Sequence, residues 1–232
     1  MSDGGVHSHI NHLYALLETA KEVGVPHTYI HFFGDGRDTA PRSAAGFAKD
    51  LLAFVKKEEY GELATVVGRY YAMDRDKRWE RIKIAVDGLV KGVGEKVDDI
   101  VQAIEEKYKK DETDEFLKPL IVNGDAGRIK GRFLPWYHQV YCLWLHLDGD
   151  TLFCFNYRSD RMREISSVLG LPEKPMEVDV PKDLVCYFHL YFSLDLILLI
   201  GSTLRPCRVI MLNSHSKLRF RLSPWPMYLP NG

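Results

Sequence analysis

Four short segments rich in β-branched and aromatic residues, at 28–33, 64–67, 119–122 and 151–155, are separated by stretches whose apolar residues recur every three or four positions. That alternation limits the fold more than any other feature. Strands that alternate with helices need crossover connections, which predicts an α/β fold: a three-layer α/β/α arrangement with a mostly parallel central sheet, covered on both faces. The first segment, Thr28 to Phe33, stops at Gly34-Asp35-Gly36-Arg37-Asp38 and reads as a buried strand feeding a loop. Leu13, Leu16, Leu17 and Ala20 form one helical stripe. Phe47, Leu51, Phe54 and Val55 form another, for which Thr39 is the expected cap, with Pro41 in the first turn. Trp79, Ile82, Val86 and Leu89 repeat in the same way, as do Ile100, Val101, Ile104 and Tyr108, and a last helix is expected from Ser159 to Gly170.

Ligands of such sheets gather in the loops after the carboxyl ends of the strands. Here those loops carry Gly34-Asp35-Gly36-Arg37-Asp38, then Gly68-Arg69-Tyr70-Tyr71-Ala72-Met73-Asp74-Arg75-Asp76, then Asn156-Tyr157-Arg158-Ser159-Asp160-Arg161 at the start of a helix. Arg37, Arg69, Arg75, Arg158 and Arg161 would converge. Arginine presents planar paired donors matched to carboxylate and phosphate oxygens, so five together suit a small ligand bearing both groups. The competing reading is a solvated network of arginines paired with neighbouring Asp and Glu.

The segment Ser2-Asp3-Gly4-Gly5-Val6-His7-Ser8-His9-Ile10-Asn11-His12 joins a glycine turn to three histidines. A glycine loop with one histidine could cradle a phosphate. On a strand, His7 and His9 would point to one side, as in metal-dependent amidohydrolases. That second reading also wants later histidines at strand ends, where this chain has arginines. For His9 and His12, helix capping or packing is expected.

The charges balance, 31 Lys+Arg against 32 Asp+Glu, which argues against a nucleic-acid or membrane-surface protein, so any bound anion must meet a local cluster. Their distribution is uneven. Residues 131–147 and 185–232 hold seven charged residues in 65, a density about threefold below that of the rest. Both segments are read as foreign to the domain, an insert and a tail from translated intron or another gene-model error, with the tail outside the fold. Cys142, Cys154, Cys186 and Cys207 form no CxxC pair, so neither zinc nor a disulfide framework is expected. The apolar run from Val185 to Ile200 carries His189 and Asp195 and is too short to span a membrane. No signal segment is visible at the amino end, and a cytoplasmic location is expected.

The motifs Ser-Asp-Gly-Gly-Val-His-Ser-His, Asp-Gly-Arg-Asp-Thr-Ala-Pro, Gly-Arg-Tyr-Tyr-Ala-Met-Asp-Arg-Asp and Asn-Tyr-Arg-Ser-Asp-Arg occur in that order. Through them the chain resembles the cofactor-independent (2,3-bisphosphoglycerate-independent) phosphoglycerate mutase family, of fungal type, over residues 2–130 and 148–184. The resemblance implies the transferase, or substrate-binding, domain at 1–184, interrupted at 131–147. It implies an isomerase that interconverts 2-phosphoglycerate and 3-phosphoglycerate in glycolysis through a phosphoserine intermediate.

Carried over by motif, the substrate contacts fall on His7, Arg37, Asp38, Arg69, Arg75, Arg158 and Arg161. His7 would donate to a phosphate oxygen, and Asp38 would be the acid and base for the glycerate hydroxyls. The family's serine nucleophile and its two metal ions, usually manganese, belong to a phosphatase domain to which nothing here can be matched. This chain is therefore expected to bind no metal, to act as a monomer with the missing phosphatase domain as its partner, and to be inactive alone. Two alternatives stay open: a non-catalytic phosphate- and carboxylate-binding module, and an amidohydrolase-like hydrolase.

Overall fold

The computed structural model describes residues 1–130, 150–170, 174–178, 185–186 and 208–213. In chain order the elements are α1 (Ile10–Glu22), β1 (His27–Gly34), α2 (Ala44–Glu58), β2 (Glu62–Gly68), α3 (Arg69–Ala72), α4 (Trp79–Lys91), β3 (Glu95–Lys96) and α5 (Ile100–Lys109). A 3-10 turn at Asp114–Phe116, β4 (Leu120–Ile121), β5 (Asp150–Phe155), α6 (Ser159–Gly170), β6 (Val185–Cys186) and β7 (Arg208–Asn213) follow. The strands form one sheet in the order β3-β4-β2-β1-β7-β5-β6.

Every pairing is parallel except that of β4 with β2, so the sheet is mostly parallel, as the alternation of elements predicts. β4 reverses because it enters from the 3-10 turn: the Gly68 amide donates to the Leu117 carbonyl at 2.7 Å and sets an antiparallel register. Along β1 the side chains divide by parity. Ile30 and Phe32 join Leu13, Leu17, Ala48, Leu51 and Ile104 from α1, α2 and α5. Tyr29 and Phe33 join Ile82, Val86, Leu89, Ile165 and Val168 from α4 and α6. A period of two along a strand with helices over both faces gives three layers.

Two local expectations are corrected. Helix α2 opens at Ala44, not near Thr39; the amides of Ser43 and Ala44, which have no intrahelical partner, each donate to Oδ2 of the buried Asp114 at 2.8 Å. A carboxylate some 70 residues away thus supplies the cap that a neighbouring side chain usually gives. The second correction concerns the tail. Residues 208–213, expected outside the fold, lie between β1 and β5, with Met211 opposite both Ile30 and Phe153. The run Val209-Ile210-Met211-Leu212 has the uninterrupted apolar character of a strand covered on both faces. Val185–Cys186 adds an edge strand beside β5.

The insert 131–147 lies outside the described residues. On either side of the undescribed stretch, the Lys130 amide donates to Asp150 Oδ2 at 2.5 Å.

Candidate functional site

Because β1, β2 and β5 run parallel, the loops that follow them open on one edge of the sheet. Two glycines let these loops close on the 3-10 turn. Gly36 has φ +68°, and a Cβ there would stand 2.8 Å from that of Asp114; a Cβ at Gly68 would overlap the Glu115 carbonyl.

Asp35 organises the first loop. Its Oδ1 accepts from the Arg37 and Asp38 amides at 3.3 and 3.1 Å and from Arg69 Nη1 at 2.7 Å, while Oδ2 accepts from Ser2 Oγ at 3.0 Å. Burial alone would raise its carboxyl, but the Asp38 amide and the Arg69 guanidinium outweigh that and hold it below the usual carboxylate range.

Arg69 is 5% exposed and follows β2 directly. Its Nη1 also reaches Asp38 Oδ2 at 2.5 Å, and its Nη2 donates to His7 Nε2 at 2.9 Å. Against the cost of burial, Asp38 and Asp35 raise its basicity further. On the far side of the imidazole, Nδ1 lies 3.2 Å from Asn156 Oδ1, and the His7 carbonyl accepts from the Tyr157 amide at 2.8 Å. Since an arginine can only donate, Nε2 is the acceptor and Nδ1 carries the hydrogen. Burial, then the Arg69 charge, lowers the His7 pKa. His7, Asp38 and Arg69 are thus brought together, with His7 Nε2 also 3.3 Å from Asp38 Oδ2, and both ring nitrogens of His7 meet protein partners.

The other four arginines form an outer ring. Arg75 Nη1 meets Asp160 Oδ2 at 3.0 Å, Arg158 Nε lies 3.7 Å from Asp160 Oδ1, and the exposed Arg37 stands 3.9 Å from Glu115. Pairs that long between exposed groups hold little. Arg161 differs. Its Nη1 donates to the Met73 carbonyl at 3.2 Å, its Nε is buried without a hydrogen-bond partner, and among the described residues no carboxylate lies in ion-pair contact with it. Burial, then the charges of Arg75 and Arg69, with a smaller push from Arg37, lower its pKa, while Asp160 works against them. A small cavity of about 10 Å³ lies among Met1, Ser2, His7, Ser8, Phe33, Asp35, Arg69 and Met73; of the five arginines only Arg69 lines it.

Three residues of the site escape a reading based on arginines: Asp35, Asn156 and Asp160. Each lies inside a motif already singled out, and their signal is adjacency to the arginines they orient. Asn156 is 6% exposed, and its Nδ2 is a buried donor with no partner.

The metal reading of His7-Ser8-His9 is corrected. Neither histidine is on a strand; His9 caps α1 by accepting from the Asn11 amide at 3.2 Å, as capping predicts, and His12 lies 3.0 Å from the Tyr157 hydroxyl. Among the described residues no group of three His, Cys, Asp or Glu side chains is placed to hold a metal ion. Also among the described residues, no helix is long and apolar enough to cross a membrane.

Fold and site together define an α/β domain with a cluster of arginines at the carboxyl ends of its parallel strands. The protein family described as BPG-independent PGAM N-terminus matches residues 1–191, and the chain belongs to that family. The 2,3-bisphosphoglycerate-independent phosphoglycerate mutase of Onchocerca volvulus is 54% identical over 189 residues, covering 79% of this chain and 33% of the relative. That of Brugia malayi is 55% identical over 173 residues, covering 74% and 30%. Among solved structures, Leishmania mexicana phosphoglycerate mutase superposes with a TM-score of 0.65 at 28% identity, covering 80% of this chain and 33% of that one. The chain spans about a third of the length of these relatives.

Proposed function

We propose that this chain is the substrate-holding domain of a phosphoglycerate mutase, the glycolytic isomerase that interconverts 2-phosphoglycerate and 3-phosphoglycerate. The observation that carries this reading is Arg161: a partly buried cation, flanked by three other arginines and, among the described residues, without a carboxylate in ion-pair contact, needs an anion. A phosphoglycerate brings two anionic groups on a three-carbon frame, enough for Arg161 and Arg75 to take one while Arg158 and Arg37 take the other.

Asp38 is assigned the general acid and base role at the glycerate hydroxyls. Its contact with Arg69 at 2.5 Å fixes where the carboxylate points. His7 acts as a spacer between Arg69 and Asn156 and so leaves the Asn156 Nδ2 donor for the ligand. Phosphoryl transfer itself, with its serine and manganese ions, is assigned to the part of the relatives that this chain does not cover. No step proposed here runs through a metal.

Calorimetric titration of the full chain with 3-phosphoglycerate tests this reading. Arg161→Ala should weaken binding at least tenfold, the worth of one charge-assisted pair at about 1.4 kcal/mol or more. Equal binding by parent and variant, or none by a folded parent, defeats it.

A further inference from the structure

Three side chains on one face of α6 hold the loop that follows α3. Arg161 Nη1 donates to the Met73 carbonyl at 3.2 Å, Asp160 Oδ2 takes Arg75 Nη1 at 3.0 Å, and Glu164 Oε1 takes the Lys77 amide at 2.7 Å. The spacings fit each other. Positions 160, 161 and 164 share a helix face, while 73, 75 and 77 are alternate residues of the loop. Lys77 has φ +60°, a left-handed backbone that a lysine adopts only when its surroundings impose it.

Glu164 is 6% exposed, and its second oxygen, Oε2, is buried with no hydrogen-bond partner so long as the group is ionised. Its neighbour is Asp74, 4% exposed, whose Oδ2 already accepts from the Asp76 and Arg78 amides at 2.9 Å each. Two buried carboxylates side by side do not both ionise. A proton on Glu164 turns the orphan oxygen into a donor to Asp74 and satisfies both groups. The surrounding charges agree on which acid keeps it. Arg78 and Arg81 stand 3.1 and 3.6 Å from Asp74 Oδ1 and keep Asp74 ionised, whereas burial raises the Glu164 carboxyl and Asp74 and Asp76 add to it, against the Lys77 amide.

We propose that Glu164 is a positioning residue that straps the loop at 73–78 to α6, so that Arg75 and Arg161 face the same anion. In this role Glu164 acts through Arg75 and Arg161 rather than on the ligand, and the assignment rests on the binding role proposed above.

The test uses the full chain with Glu164→Ala and Glu164→Gln and two readouts: amide hydrogen exchange over residues 73–78, and titration with 3-phosphoglycerate across pH. Glu164→Ala should speed exchange at Lys77 and weaken binding, each by about tenfold or more, as losses in a supporting shell do. Glu164→Gln, which copies the protonated acid, should restore both to within about threefold of the parent. As pH rises the parent should lose affinity relative to Glu164→Gln, because only the parent can ionise beside Asp74. An alanine variant that loses stability but keeps its affinity, or a glutamine variant no better than alanine, overturns the proposal. Should the parent fail to bind 3-phosphoglycerate, the functional reading falls, and the exchange measurement alone then decides whether Glu164 straps the loop.

Discussion

Nη2 of Arg69 donates to Nε2 of His7 across 2.9 Å, so a group that never surrenders its proton decides which nitrogen of the imidazole carries one. The same guanidinium spans Asp35 and Asp38 with its other terminal nitrogen. Arg69→Ala would leave two carboxylates, 9% and 25% exposed, beside an empty space. Breaking a buried pair from one side costs about 3–5 kcal/mol, and urea unfolding should show a loss of that order. A loss under about 1 kcal/mol would place Arg69 among surface pairs.

Two histidines should resist acid. His31 is fully buried with Nδ1 2.8 Å from Thr65 Oγ1, and burial pushes its pKa down to about 3; His7 is lowered by burial and then by Arg69. A base less basic in the folded chain is protonated first in the unfolded one, so each ring withdraws stability as pH falls below about 6.5, by up to about 1.4 kcal/mol per pH unit. For His31 the loss continues towards pH 3. Asp114, whose carboxyl is raised by burial, works in the opposite direction, so each group is best read by its own resonance. The imidazole signal of His31 should not titrate above about pH 4; a midpoint near 6.5 would mean the ring reaches solvent.

Gly68→Ala should disturb fold and site together. The added Cβ would meet the Glu115 carbonyl, while the Gly68 amide is bonded to Leu117 on the same strand of chain. Overpacking against backbone costs about 1–3 kcal/mol, read as a lower melting temperature. Since Arg69 is the next residue, 3-phosphoglycerate affinity should fall as well.

Strands β1, β2 and β5 and both helical layers were legible because their apolar residues repeat at two or at three and four, whereas β7, between β1 and β5, was hidden by the foreign composition of its surroundings. β3 was not legible either: Glu95 and Lys96 are both exposed at a sheet edge, and two charged residues carry no strand signal. Nor was the true start of α2, since the Asp114 cap is a tertiary contact invisible in local sequence. At the site, the arginines stood out by residue type and by their place at strand ends. Asp35, Asn156 and Glu164 act by orienting others, and only coordinates reveal which neighbour each one holds.

Removing residues 131–147 should leave the domain intact. Lys130 and Asp150 already meet at 2.5 Å, so Asp148-Gly149 can close the gap as a tight turn. Shortening the connection restores at most about 2 kcal/mol of loop entropy, so urea unfolding should show a neutral or stabilising deletion. A clear destabilisation would mean that the segment packs against the domain.

Met211→Pro separates the two accounts of the tail. A tail outside the fold, as its composition suggests, would tolerate the change without effect. In the structure Met211 sits opposite Ile30 on one side and Phe153 on the other, and an internal strand has no amide to spare. Proline removes one ladder bond and clashes with its neighbours, at a cost of about 3 kcal/mol or more. The substitution should therefore lower the urea midpoint sharply, and it should weaken 3-phosphoglycerate binding too, because β7 is what joins β1, which leads to Asp38, to β5, which leads to Arg158 and Arg161. Unchanged stability and affinity would return residues 208–213 to the foreign tail and leave β1 and β5 to be joined by another strand.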